Sequence, residues 1–312
     1  MWQGDTFDPQ TIDRELGWAR GLGFNSVRVF LHDLLWRVDG ERFLARVDTF
    51  LSIAASHDIS TMFVLFDGVW DPEPHPGPQR QPRAGVHNST WVQSPGSAIL
   101  ADPAHWGALR TYVEAVMQRF SSDRRVIAWD LFNEPDNSNI TSYPSKELAH
   151  KQRLVTDLVD AVFDWSQTVD PVQPMTAGVF LGVGGATERV SHLNRIMLSR
   201  SDVISFHCYG GRRSLTAAIE HLSAYHRPLV CTEWLARPRS PIELLELMAE
   251  RGVGAYSWGL VDGKTQTRFP WSSWMLPTRR ERTWFQDLLR KDGSPYTPAE
   301  AALIGRVCAE HT

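Results

Sequence analysis

Cysteine is scarce in this sequence: Cys208, Cys231 and Cys308 are the three in 312 residues. An odd, scattered trio builds no disulfide framework, so the fold must rest on its core. Excess charge of one sign is lacking too. A formal net charge of −4 gives no electrostatic case for a nucleic-acid partner. No apolar run reaches the length of a membrane span. The opening residues, MWQGDTFDPQTIDREL, have neither the basic end nor the apolar stretch of a signal peptide, which makes the cytoplasm the default location. Histidine is present eleven times, yet no HxH or HxxxH spacing pairs two of them as metal ligands. No metal and no cofactor is expected. What the chain does have is apolar surface, at 42% of residues, and thirteen tryptophans. The first allows a sizeable core. The second supplies flat faces that pack internally or stack on sugars and other apolar ligand surfaces.

Two periodicities alternate along the chain. Short, mostly continuous apolar runs read as strands at 25–31, 61–66, 125–132, 173–180, 202–207, 227–232 and 253–259. Such runs suit a parallel sheet covered on both faces. Between them, apolar residues recur at helical spacing, as in Phe43, Val47, Phe50, Leu51 and Ala54. Helix starts are marked at Asp8-Pro9, at Ser240–Glu243 and at Thr297–Glu300, where a capping residue precedes a first-turn proline. Repeated βα units without a break in composition predict one α/β domain over residues 1–312, a (β/α) barrel. A doubly wound open sheet is the rival, but no glycine-rich phosphate turn follows any strand. The count is uneven: at least eight helices against seven readable strands, and the chain opens with a helix.

Three irregular segments, 67–104, 135–146 and 260–280, follow C-terminal strand ends, the face on which barrel active sites are built. Two glutamates stop apolar runs at that same face: Glu134 in DLFNE and Glu233 in LVCTE. Two carboxylates converging on one mouth can hydrolyse a glycosidic bond, one giving a proton and the other attacking or activating water. Position alone leaves structural ion pairs with arginine equally open.

The motif WDLFNEPDN (129–137) resembles the Asn-Glu-Pro signature of the clan A retaining glycoside hydrolases, in particular the cellulase-like family 5. The other strand ends are similar to that family in order: Arg28 in NSVRVF, His207 and Tyr209 in SFHCYG, Glu233 in CTEW and Trp258 in AYSWG. The resemblance implies a TIM-type barrel that hydrolyses β-glycosidic bonds of a poly- or oligosaccharide. It implies Glu134 as acid/base, Glu233 as nucleophile, and Asn133 on the sugar 2-hydroxyl. Tyr209 and Arg28 would hold Glu233, His207 would contact substrate or Glu134, and Trp258 would lie under the sugar. Asp67, Trp70, His87, Asn88, Trp91 and Gln93 stand where the family often builds sugar subsites. Trp36 and Trp234 follow strand ends and are further candidates, as are Trp271 and Trp274. Asp130 reads as structural support.

The resemblance also implies that a strand is missing. Only two strands precede WDLFNE, where the family has three, so the first strand is expected to be absent. Its loss would leave two unpaired edges, to be closed by their neighbours, by residues 1–7 or by self-association. A leader lost with that strand would leave secretion open. The alternative function is a carbohydrate-binding barrel whose turnover went with the strand.

Overall fold

The computed structural model describes residues 2–182, 190–277 and 283–311. Strands form where the sequence turns apolar: β1 (Ser26–Phe30), β2 (Ser60–Val64), β3 (Val126–Asp130), β4 (Met175–Thr176), β5 (Ile204–His207), β6 (Leu229–Glu233) and β7 (Gly254–Ala255). Around them run α1 (Pro9–Gly21), α2 (Asp33–Val38), α3 (Gly40–Ser56), α4 (Ser97–Leu100), α5 (Trp106–Phe120), α6 (Lys151–Val169), α7 (His192–Arg200), α8 (Arg212–Ser223), α9 (Leu244–Glu250) and α10 (Pro298–His311). All strand pairs are parallel. This is a (β/α) barrel with seven strands among the described residues, as the apolar runs predict. No described helix is long and apolar enough to cross a membrane.

Helix ends follow local chemistry. The Asp8 carboxylate accepts from Thr11 N at 3.1 Å, with Pro9 at the first helical position of α1. Thr297 caps α10 by accepting from Glu300 N at 3.2 Å, while the Glu300 carboxylate turns instead to Arg237 at 2.6 and 2.8 Å. Ser240 caps no helix: its hydroxyl is drawn to the buried carbonyl of Trp234, and α9 starts only at Leu244.

The strands pair in two sets, β1-β2-β3-β4 and β5-β6-β7. Backbone joins the sets on one side, where Val179 N donates to Ser205 O and His207 N donates to Val179 O, each at 3.0 Å. On the other side, between β7 and β1, no strand ladder forms among the described residues. All of β1 is only half-buried, whereas four of the five residues of β2 are fully buried. Residues 2–8 do not supply a strand there. They form a turn whose Trp2 buries its ring against Phe43, Phe50 and Phe63 and donates Nε1 to Phe30 O at 2.7 Å. Outside this seam the helical ring still closes, because α10 docks on the end of α1. Gly23, at φ +101°, sits so close that a Cβ would lie 2.9 Å from Cys308 Cβ.

Candidate active site

Parallel strands put all their C-terminal ends at one mouth. There β1, β3, β5 and β6 contribute Arg28, Asp130, His207 and Glu233. Arg28 is the hub. Its Nη1 donates to Glu233 Oε1 at 2.9 Å, its Nε and Nη2 to Asp130 Oδ2 at 2.9 and 2.7 Å, and Nη2 again to Asn133 Oδ1 at 2.6 Å. Burial works against the guanidinium, but Asp130 and Glu233 outweigh it and hold its pKa above the usual value. Asp130 is the structural support the sequence indicates. Its side chain is wholly buried, and the ion pair with Arg28 is what makes a carboxylate tolerable there.

Glu233 is oriented by two donors, Arg28 and the Tyr209 hydroxyl, which reaches Oε2 at 2.5 Å. Glu134 is held differently. His207 Nδ1 lies 2.7 Å from its Oε1, and the Asn137 amide donates to its Oε2 at 2.6 Å. The backbone of Glu134 is left-handed, at φ +42°. That conformation costs an L-residue about 1–2 kcal/mol and is characteristic of sites where geometry is imposed by function. It is allowed by Gly68, where a Cβ would come within 2.5 Å of Glu134 O. Lys151 secures the same turn by donating to Gly68 O at 2.5 Å and to Asn137 O at 3.2 Å.

One ligand atom each from Glu134, His207 and Glu233 fall within 4.8 Å of one another. A cation could span that distance, but His207 Nδ1 already faces Glu134 and a guanidinium already faces Glu233. The positive charge is therefore supplied by the protein. Burial opposes charge on His207, but Glu233 and Glu134 prevail and raise its pKa. The imidazole lies 3.7 Å from the Glu233 Oε2 as well, so it stands between the two carboxylates.

A second layer ties this centre to the aromatic walls. Asn133 Nδ2 donates to Asp67 Oδ1 at 2.9 Å, and Trp91 Nε1 donates to Asp67 Oδ2 at 2.6 Å. Desolvation pushes Asp67 up to about 7. Trp91 in turn meets Trp258 edge-on at 5.1 Å, and Trp258 meets Phe30 at 5.2 Å. A second wall runs from Tyr209 to Trp271 at 4.8 Å, from Trp271 to His87 at 6.3 Å, and from His87 to Trp70 at 5.5 Å; Trp274 stacks on Trp70.

The sequence candidates thus divide. Arg28, Asp67, Asn133, Glu134, His207, Tyr209, Glu233 and Trp258 come together. Trp70 and His87 belong to the second wall, with His87 beneath it: its Nδ1 lies 2.7 Å from Phe269 O, and burial pushes its pKa down to about 4. Asn88 and Gln93 are buried in loop packing. Trp234 is a core residue and does not line the mouth. Trp36 lies on α2 with its ring against Tyr112 of α5, outside the hydrogen-bonded network. Asn137, Gly68 and Lys151 were not singled out from the sequence. Asn137 had a usable signal, since it stands three residues beyond Glu134 in a turn. Lys151 had none.

No protein-family model matches the sequence, and no curated protein matches it either. Solved structures do match the fold. GH5_18 from Streptomyces cattleya, crystallised with GlcNAc, superimposes with a TM-score of 0.63 at 15% identity, over 98% of this chain and 74% of that one. The endo-β-1,4-mannanase of Thermotoga petrophila gives 0.60 at 15% identity, over 97% and 73%. A β-glucosidase, 1317, gives 0.62 at 13%, over 97% and 88%. The chain has the barrel fold of the family 5 glycoside hydrolases.

Proposed function

We propose that the chain is a retaining glycosidase that cleaves β-glycosidic bonds of a poly- or oligosaccharide by double displacement. The observation that carries this reading is the pairing of Glu134, just beyond β3, with Glu233, at the end of β6, with one oxygen of each within 4.8 Å of the other. Retaining pairs stand about 5–5.5 Å apart, whereas inverting pairs need about 6.5–9.5 Å to admit a water. Their settings also differ in kind. Glu233 is fixed by donors on both oxygens, as an attacking carboxylate should be. Glu134 sits against an imidazole that can exchange a proton with it.

In the first step Glu233 attacks the anomeric carbon while Glu134 protonates the departing oxygen, giving a glycosyl-enzyme. In the second, water enters with Glu134 as base and Glu233 leaves. Asn133, locked between Arg28 and Asp67, presents its amide to the sugar 2-hydroxyl. The relatives in fold support the carbohydrate reading, because their structures include a mannanase, a β-glucosidase and GlcNAc-bound GH5_18. The test is a panel of aryl β-glycosides and β-glucans, mannans and xylans with a reducing-sugar readout. Glu233→Gln should abolish turnover. Glu134→Gln should slow substrates with poor leaving groups by about 10²–10⁴-fold while sparing activated aryl glycosides far more. Equal losses on both substrate types would exclude the acid role of Glu134.

A further inference from the structure

A cavity of about 530 Å³ opens beside the seam between β7 and β1. One wall is α1, through Arg14 and Glu15. The opposite wall is the segment after β7, from Val261 to Arg268, with Lys291 at the edge. Val261 follows Trp258 of the aromatic wall by three residues, so this wall continues the segment that carries Trp258. None of the residues that line the cavity belongs to the Glu134–Glu233 centre.

Its charge is unlike that of the chain as a whole, which carries −4. Arg268 is paired with Asp262 at 2.6 Å and contributes no free charge. Lys264 and Lys291 have no carboxylate partner among the described residues, whereas Arg14 bonds the Thr11 hydroxyl, lies over the Trp18 ring and interacts electrostatically with Asp8 and Glu15. Two unpaired lysines, Lys264 and Lys291, thus line one recess. The carboxylates there are Asp262, which is paired with Arg268, and Glu15, which lies beside Arg14. Gln266 stiffens the far wall, accepting from Gly85 N at 3.0 Å and donating to Arg83 O at 2.9 Å. The recess is pre-formed, polar and positive, beside a mouth built for a saccharide.

We propose that this cavity binds the anionic group of an acidic saccharide, a uronate carboxylate or a sulfate ester. The inference rests on the carbohydrate reading of the mouth, and deepens it to a substrate class. Its test uses the full-length Glu233→Gln chain, in which binding is separated from turnover. Calorimetric titration would compare neutral, uronate-bearing and sulfated oligosaccharides of one length. The acidic ligands should bind about tenfold tighter, and the advantage should shrink as salt rises from about 0.05 to about 0.5 M. The Lys264→Gln/Lys291→Gln double variant should erase that advantage and leave neutral binding unchanged. Which acid gains more names the source of the anion. Equal affinity for neutral and acidic ligands would overturn the proposal, as would a preference that survives in the double variant. Turnover by the unmodified chain reads the other claim separately: neutral glycosides cleaved without acidic preference would sink the cavity alone, and preference without any cleavage would sink the glycosidase alone.

Discussion

The barrel wall changes partners at two places, and the two are built differently. Between β4 and β5 the strand ladder is short, yet backbone carries it across through Val179, which both donates to Ser205 and accepts from His207. Between β7 and β1, among the described residues, only side chains cross. The Tyr256 hydroxyl interacts with Ser26, Trp258 meets Phe30, and Arg28 reaches over to Glu233. At the first junction the peptide hydrogen bonds hold His207 whatever the side chains do. At the second, the side chains that close the wall are those that arrange the candidate site. Fold and chemistry are separable on one side of the mouth and inseparable on the other.

Removing the hub should expose this most strongly. Arg28→Ala leaves Asp130 buried without a counter-charge, which should cost about 3–5 kcal/mol of stability by denaturant titration. Activity at permissive temperature should fall by at least about 100-fold, because Glu233 and Asn133 both lose their anchor. At the backbone junction, Val179→Pro removes the amide that donates to Ser205 O. Its expected cost is about 1–3 kcal/mol for the orphaned carbonyl, with no loss of the Arg28 network. A variant chain that loses as much activity per unit of stability as Arg28→Ala would break the contrast.

Asp67 gives a pH-dependent version of the comparison. Burial holds its folded pKa at about 7, against about 4 in an unfolded chain. Below about pH 4 both states are protonated; above that the unfolded state releases its proton first. Stability from this group therefore falls as pH rises toward 7 and stays low beyond it. Asp67→Asn should consequently gain on the unmodified chain by roughly 2–3 kcal/mol between pH 5 and pH 8, read from melting curves at both values. A constant difference across that range would show that Asp67 is ionised throughout. The smallest effect belongs to Tyr256→Phe, which removes the hydroxyl that interacts with Ser26 at the seam and should cost at most about 0.5–1.5 kcal/mol. Its signature is a drop in activity out of proportion to that cost, since the seam positions Arg28.

Much of this was legible in the residues. Continuous apolar runs located the seven strands, and parallel strands oblige their C-terminal residues to meet, so Glu134 and Glu233 could be grouped in advance, while Arg28, His207 and Tyr209 were joined to them by the resemblance to family 5. Loop residues could not, because nothing periodic tells which way they face. Gln93 and Asn88 are buried, and His87 supports tryptophans from below; Trp36, on the short helix α2, turns to Tyr112. The capping signal at Ser240 was outbid by the buried carbonyl of Trp234, a contact six residues away that the local pattern does not show. The place of Trp2 was equally hidden, since its partners on α3 and β2 lie more than forty residues further on.

The central claim is a retaining displacement by Glu233 with Glu134 as acid/base. Proton NMR of the anomeric signals, recorded in the first minutes of hydrolysis of an aryl β-glycoside or β-linked oligosaccharide, tests it most directly. The β-anomer should appear first, with the α-anomer growing later by mutarotation alone. An α-anomer formed first, or no cleavage of any β-glycoside by a folded chain, would contradict it.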